Sequence, residues 1–138
     1  MKTFKEIICI TTKKTEEVMN ITSTIEKLCR HSGIKNGFVL VHTLHTTASV
    51  FINDSDERIT DDIMRVLGKI VPASDKYMHD ETDFKKNASG HIRGSLLGHN
   101  IVLAICDGEL ELGKYQTIYY ADFDGKRPKE ILAKIIGE

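Results

Sequence analysis

The sequence predicts an α+β fold, mostly antiparallel strands with two or three helices packed on them. Three observations carry that prediction. Short β-branched runs recur along the chain, at Phe4–Thr11, Gly37–Leu44, Ser49–Asn53 and Asn100–Cys106. The dipeptides Asp107-Gly108 and Asp124-Gly125 mark tight turns, the first leading into a long strand at roughly Glu109–Ala121. Two stretches instead repeat their apolar residues at helical spacing.

The first helix follows from Ser23-Thr24-Ile25-Glu26, which matches a capping box, with Ile25, Leu28 and Cys29 on one face. Gly33 supplies a left-handed end. The second starts at Asp54-Ser55-Asp56 and carries Ile59, Ile63, Val66, Leu67 and Ile70, with Pro72 just beyond it. Residues Ala73–Lys86 are polar and aperiodic, and a loop of that length is often functional. A short third helix fits Ala88–Leu97, closed by Gly98. The tail, with Ile131, Leu132, Ile135 and Ile136, fits either a helical face or a closing strand.

The chain has 138 residues, enough for one domain spanning positions 1–138 with a core of its own. Nineteen Lys and Arg against 20 Asp and Glu leave a net charge of −1, with no basic run, so nothing attracts a nucleic acid. No apolar stretch approaches the ~18 residues of a membrane span, and no secretory h-region follows Met1, so a cytoplasmic location is expected. Cys9, Cys29 and Cys106 each sit among apolar neighbours and read as buried free thiols.

Four of the six histidines stand in polar surroundings. His45 opens His-Thr-Thr-Ala, and along an extended chain it shares a face with Thr47 while His42 faces the other way. His91 lies in Asn87-Ala88-Ser89-Gly90-His91-Ile92-Arg93-Gly94-Ser95, near a helix start. Free N–H groups there favour an anion, and Arg93 and Ser95 could add phosphate contacts. His79-Asp80 sits in the polar loop. If that loop folds back over His45 and His91, three imidazoles would suit one divalent ion, zinc or similar, with an open fourth position. Gly113 within a strand pattern suggests a bulge or a close approach. Gln116 follows Lys114 on one face, and Arg127 near a strand end could clamp a carboxylate or phosphate. GxSxG, P-loop and Rossmann patterns do not occur. Each residue also has an ordinary reading: a hydrogen-bonded histidine, a glycine that permits packing, an arginine in a surface ion pair.

Taken in order, five segments resemble the YjbQ family. They are His45-Thr46-Thr47-Ala48 with Asn53-Asp54, Asn87 to Arg93, Ser95-Leu96-Leu97-Gly98, Gly108-x-Leu110-x-Leu112-Gly113-x-x-Gln116, and Asp124-Gly125-x-Arg127. Departures are local: Lys114-Tyr115 for the usual Thr-Trp, Lys126 for proline, Gly90 for alanine. The resemblance implies antiparallel sheets packed as a sandwich and a homotrimer. It also implies a transferase-like activity on a phosphorylated small molecule, thiamine-phosphate synthesis from a pyrimidine diphosphate and a thiazole phosphate. By carry-over, His45, His91 and Arg127 are the candidate catalytic residues. Thr47, Asn53, Arg93, Ser95 and Gln116 are candidate substrate contacts, and His45, His79 and His91 candidate metal ligands. The competing expectations are a metal-assisted phosphate hydrolase and a non-catalytic trimer that binds a metal or an anion.

Overall fold

In the computed structural model, which describes residues 1–138, twelve elements follow one another. They are β1 (Lys2–Thr11), β2 (Glu17–Asn20), α1 (Thr22–Ser32), β3 (Gly37–Thr43), β4 (Ala48–Asp54) and α2 (Glu57–Ile70), then α3 (Met78–Thr82), α4 (Ala88–Leu97), β5 (Asn100–Cys106), β6 (Glu109–Leu110), β7 (Gln116–Asp122) and β8 (Pro128–Gly137). All pairings are antiparallel. One sheet has the order β1-β8-β3-β5-β6 and the other β2-β7-β4.

Strand alternation puts every second residue on one face, and these rows build the core. Val39, Val41, Leu103, Ile105, Ile131 and Ile135 of the larger sheet meet Val50, Ile118 and Tyr120 of the smaller one, with Ile25 and Cys29 from α1. The two sheets therefore pack face to face, as the family resemblance implied. The smaller sheet's other face carries Phe51, Tyr119 and Ala121 under Leu67 of α2 and Leu97 of α4. Val66 and Ile70, expected on the buried side of α2, are exposed.

Several local expectations change in their tertiary setting. The helices number four, because five residues of the presumed loop form α3. Helix α1 starts without the capping box: Ile21 is its cap residue and no side chain caps it. Ile21 is instead held by backbone pairing to Ile118, whose N–H also donates to Thr22 Oγ1. A tertiary bond has displaced the local one. The long strand at 109–121 is broken, since its two ends belong to different sheets. Gly113 marks the crossing, and its N–H donates to Gln116 Oε1 at 2.8 Å. The tail is the closing strand β8, not a helix. Cys9 and Cys106 are exposed and only Cys29 is buried, its thiol pushed up to about 11 by burial. Apolar neighbours on a strand point to the opposite face, which is why Ile8 and Ile10 misled the reading of Cys9.

The turn Phe123–Arg127 carries the chain from the smaller sheet to the larger one. Asp122 ends β7 at 0% exposure, and Lys129 opens β8 at 2%. Lys129 Nζ donates to Asp122 Oδ1 and to the Asp124 carbonyl, both at 2.9 Å. Asp124 N–H donates back to Asp122 Oδ1 at 3.0 Å, and the Tyr120 hydroxyl donates to Oδ2 at 3.4 Å. Removing one member of such a buried pair strands the other charge, at a cost of about 3–5 kcal/mol. Asp122→Ala should therefore lose about that much stability in urea unfolding; a loss below ~1 kcal/mol would show that the pair does not hold the sheets together.

Candidate functional site

Where β8 begins, the end of β3, the Thr46-Thr47 turn, the start of α4 and the segment after α3 surround one cleft of about 360 Å³. Its 11 lining residues include His45, Thr46, Thr47, His79, Asp83, Lys85, Asn87, His91, Arg127 and Lys129, and none is hydrophobic. The three histidines that the sequence placed in separate segments thus share one cleft, together with Thr47 and Arg127.

His45 is placed by the end of a β-ladder. The β3–β8 pairing stops at Thr43 and Ile131. Beyond it, Leu44 N–H still donates to the Glu130 carbonyl, but Glu130 N–H donates to His45 Nε2 at 3.0 Å. The imidazole thus replaces a main-chain acceptor. Its Nε2 must be unprotonated, so the neutral ring carries its proton on Nδ1. His42 lies in a separate hollow with His99.

Helix α4 brings His91. A side chain at Gly94 would meet the Thr46 carbonyl at 3.1 Å, and one at Gly90 the Phe123 carbonyl at 3.1 Å. These glycines, one turn apart, let the helix lie directly on the backbone of β4 and the β7–β8 turn. The His79 ring sits 4.7 Å from that of His91, centroid to centroid. His79 has Asp80 at 3.7 Å and Asp83 at 3.6 Å. Behind the cleft, Asp124 Oδ2 accepts from Asn87 Nδ2 at 2.8 Å and pairs closely with Arg127.

Other expected contacts lie elsewhere. Arg93 is 4% exposed, donates twice to the Val71 carbonyl and pairs with Glu16. Ser95 is exposed and outside the cleft. Residues two apart on a helix do not face one another, so His91, Arg93 and Ser95 cannot form one anion site. The free N–H groups expected at the start of α4 meet an internal carboxylate: Ala88 N–H donates to Asp80 Oδ1 at 3.0 Å. Asn53 and Gln116 line a different hollow, with Gly113 and Tyr115. It lies at the far end of β4, about 20 Å from Thr47 at ~3.3 Å per residue.

The convergence does not amount to a preformed metal site. His45 Nε2 is spent on Glu130, and no three His, Cys, Asp or Glu side chains stand where they could share one ion. The donors present do not fit the expected tris-imidazole set.

Asp83, Lys85 and Lys129 were not singled out from the sequence, and Asp124 only as part of the Asp124-Gly125 turn and its segment. Lys129 had a readable signal: on a strand it falls in the same row as Ile131, Ala133 and Ile135, a lysine in an apolar row. The helical alternative for the tail hid it.

The family of the chain is settled by comparison. A model of the family described as UPF0047 protein YjbQ-like matches residues 6–138. The chain belongs to this family. A UPF0047 protein of Methanothermobacter thermautotrophicus is 32% identical over 138 residues, covering 100% of this chain and 95% of its own. A YbjQ-like protein from Sulfolobus solfataricus superposes with a TM-score of 0.94 at 30% identity, covering 99% of both chains. A YjbQ/UPF0047 protein of Clostridium acetobutylicum gives 0.88 at 34% identity, over 95% of this chain and 99% of its own.

Burial lowers the pKa of His45 below its ordinary 6.5, helped by the Lys129 charge. Burial also lowers that of His91, helped by His79. Both rings are therefore neutral at pH 7. A group whose folded-state pKa is depressed contributes stability that is complete above its unfolded value and is lost as pH falls through the folded one. NMR titration should show both midpoints below 6.5, with urea stability flat above about pH 7 and declining below about 6.5. Midpoints at or above the ordinary value would refute this electrostatic picture.

Proposed function

We propose that the cleft takes the phosphate or diphosphate group of a small phosphorylated molecule and that the protein is an enzyme acting on it. The observation that carries this reading is the composition of the lining: Lys85, Arg127, Lys129 and three imidazoles face one cleft with a single carboxylate, Asp83. Arg127 offers a planar fork suited to phosphate oxygens, and Lys129 keeps one of its three ammonium protons unused. His45, held as a Nδ1–H tautomer, acts as a donor. His91, neutral and paired with His79, is the group positioned to move a proton. Cationic groups that neutralise a departing diphosphate would serve a transfer reaction. Thiamine-phosphate formation, the reaction named by the family resemblance, belongs to that class. The second reading is a non-catalytic anion-binding protein, favoured by the number of cleft groups already bound to one another.

Titration calorimetry with inorganic phosphate and pyrophosphate tests the binding step. Binding below neutral pH should be accompanied by proton uptake at His91, because an anion favours its imidazolium form. Arg127→Ala should weaken binding roughly tenfold or more, the value of a hydrogen bond to a charged group. Binding of neither anion would remove the proposal. Pyrophosphate release from the pyrimidine diphosphate and thiazole phosphate pair tests the transfer reaction. Tight binding with no turnover of any phosphorylated compound would favour the second reading.

The homotrimer and the cytoplasmic location belong to the same proposal. No helix is long and apolar enough to cross a membrane. Phe38, Val102 and Ile136 lie exposed on neighbouring strands of the larger sheet's outer face, an apolar patch of the kind that supports association. Light scattering should give three times the chain mass for the wild type and a lower mass for Val102→Glu. A monomeric wild type would rule out the trimer.

A further inference from the structure

We infer that the ligand of the histidine cleft is a phosphorylated, hydroxylated small molecule, of the sugar- or polyol-phosphate class, rather than a phosphorylated aromatic hydrocarbon. This rests on the phosphate-binding reading above and departs from the pyrimidine and thiazole phosphates of the transfer reaction named there.

The lining departs from the usual ligand site, which is mostly apolar with a few polar anchors. Here none of the 11 lining residues is hydrophobic. A hydrocarbon ring entering the cleft would strip water from hydroxyls, imidazoles and charged groups and return no hydrogen bonds. Each polar group left that way costs about 1–3 kcal/mol. A hydroxylated carbon frame replaces the lost water bond for bond.

The lining also asks for donors as well as acceptors. Arg127, Lys129, Lys85 and the Thr46 and Thr47 hydroxyls can donate to phosphate oxygens. Asp83 and Asn87 Oδ1 can only accept. Asn87 Oδ1 is enclosed and has no hydrogen-bond partner, while the Nδ2 of the same amide is fixed by Asp124. A buried acceptor without a partner is rare and calls for an O–H or N–H. The dianion of a phosphate ester has none to offer, but a ligand hydroxyl does. The phosphate is drawn to Arg127 and Lys129 and repelled by Asp83, which leaves the hydroxyls to the Asp83 and Asn87 side.

A cleft of about 360 Å³ is near the lower end for small-molecule sites, suited to a phosphate with a short hydroxylated chain.

Titration calorimetry on the full-length wild type, comparing inorganic phosphate, glycerol 3-phosphate, ribose 5-phosphate and phenyl phosphate, decides the matter. The two polyol esters should bind roughly tenfold or more tightly than phenyl phosphate, since sites built for a hydroxyl reject analogues that lack it. Asn87→Ala should cost the polyol esters more affinity than it costs phenyl phosphate. Phenyl phosphate binding as tightly as the polyol esters would overturn the class while leaving the phosphate reading intact. No binding of any probe, inorganic phosphate included, would overturn both. Asn87 also braces Asp124, so a melting curve accompanies the variant, and if the variant does not fold the wild-type series decides alone.

Discussion

The structure depends on one buried ion pair, Asp122 with Lys129, at the point where the chain leaves one sheet and enters the other. Taking two charges out of water is expensive, and their attraction offsets the cost only when the remaining hydrogen-bonding positions are also filled. Here they are: both Asp122 oxygens accept, and Lys129 has a second acceptor in the Asp124 carbonyl. The pair is therefore better understood as fixing geometry than as adding net stability. It sets Asp124, whose Oδ2 in turn accepts from both Arg127 and Asn87.

That arrangement also governs the charge of the site. Lys85, Arg127 and Lys129 are matched by Asp83 in the lining and by Asp122 and Asp124 behind it. With Asp122 and Asp124 paired to Lys129 and Arg127 and with His45 and His91 neutral, the positive charge of the lining is moderated. An incoming anion must then gain its binding energy from directed hydrogen bonds and from proton uptake at His91. This favours selectivity by shape and donor pattern over indiscriminate attraction to any anion.

The sequence was legible where one face of an element carries a simple period. The positions of α2, α4, β3, β4 and β5 follow from apolar spacing and turn residues alone. Asp107 and Gly108 both take positive φ, as their hairpin requires. What stayed hidden depends on contacts between distant segments. Ile118 replaces the capping box at Ile21 and Thr22, and Glu130 takes up His45 Nε2. The cleft histidines were visible as residue types in polar settings, but their meeting was not, because it requires β8 to lie beside β3. Arg93 shows the converse: an arginine beside a histidine in a glycine-rich segment has the composition of an anion site, and helical geometry turns it the other way.

Arg93 nonetheless belongs to the site's construction, through the loop that joins β1 to β2. Glu16 in that loop pairs with Arg93, which also holds the end of α2 at Val71, so the loop fixes the helix that presents His91. Four residues earlier, Thr12 Oγ1 accepts from Lys126 N–H at 3.0 Å, and the Thr15 carbonyl accepts from Gly125 N–H at 2.8 Å. The same loop thus fixes the turn that presents Arg127. It presses so closely that a side chain on Gly125 would lie 2.2 Å from Thr12 Oγ1 and 2.3 Å from the Lys14 carbonyl. Lys126 sits at φ 67°, a value that proline's ring forbids, and it donates a bond that proline lacks. A chain with proline at this position must therefore tie the turn down differently. Here one short strap holds both walls of the cleft, and the distance between His91 and Arg127 is set by residues that never touch a ligand.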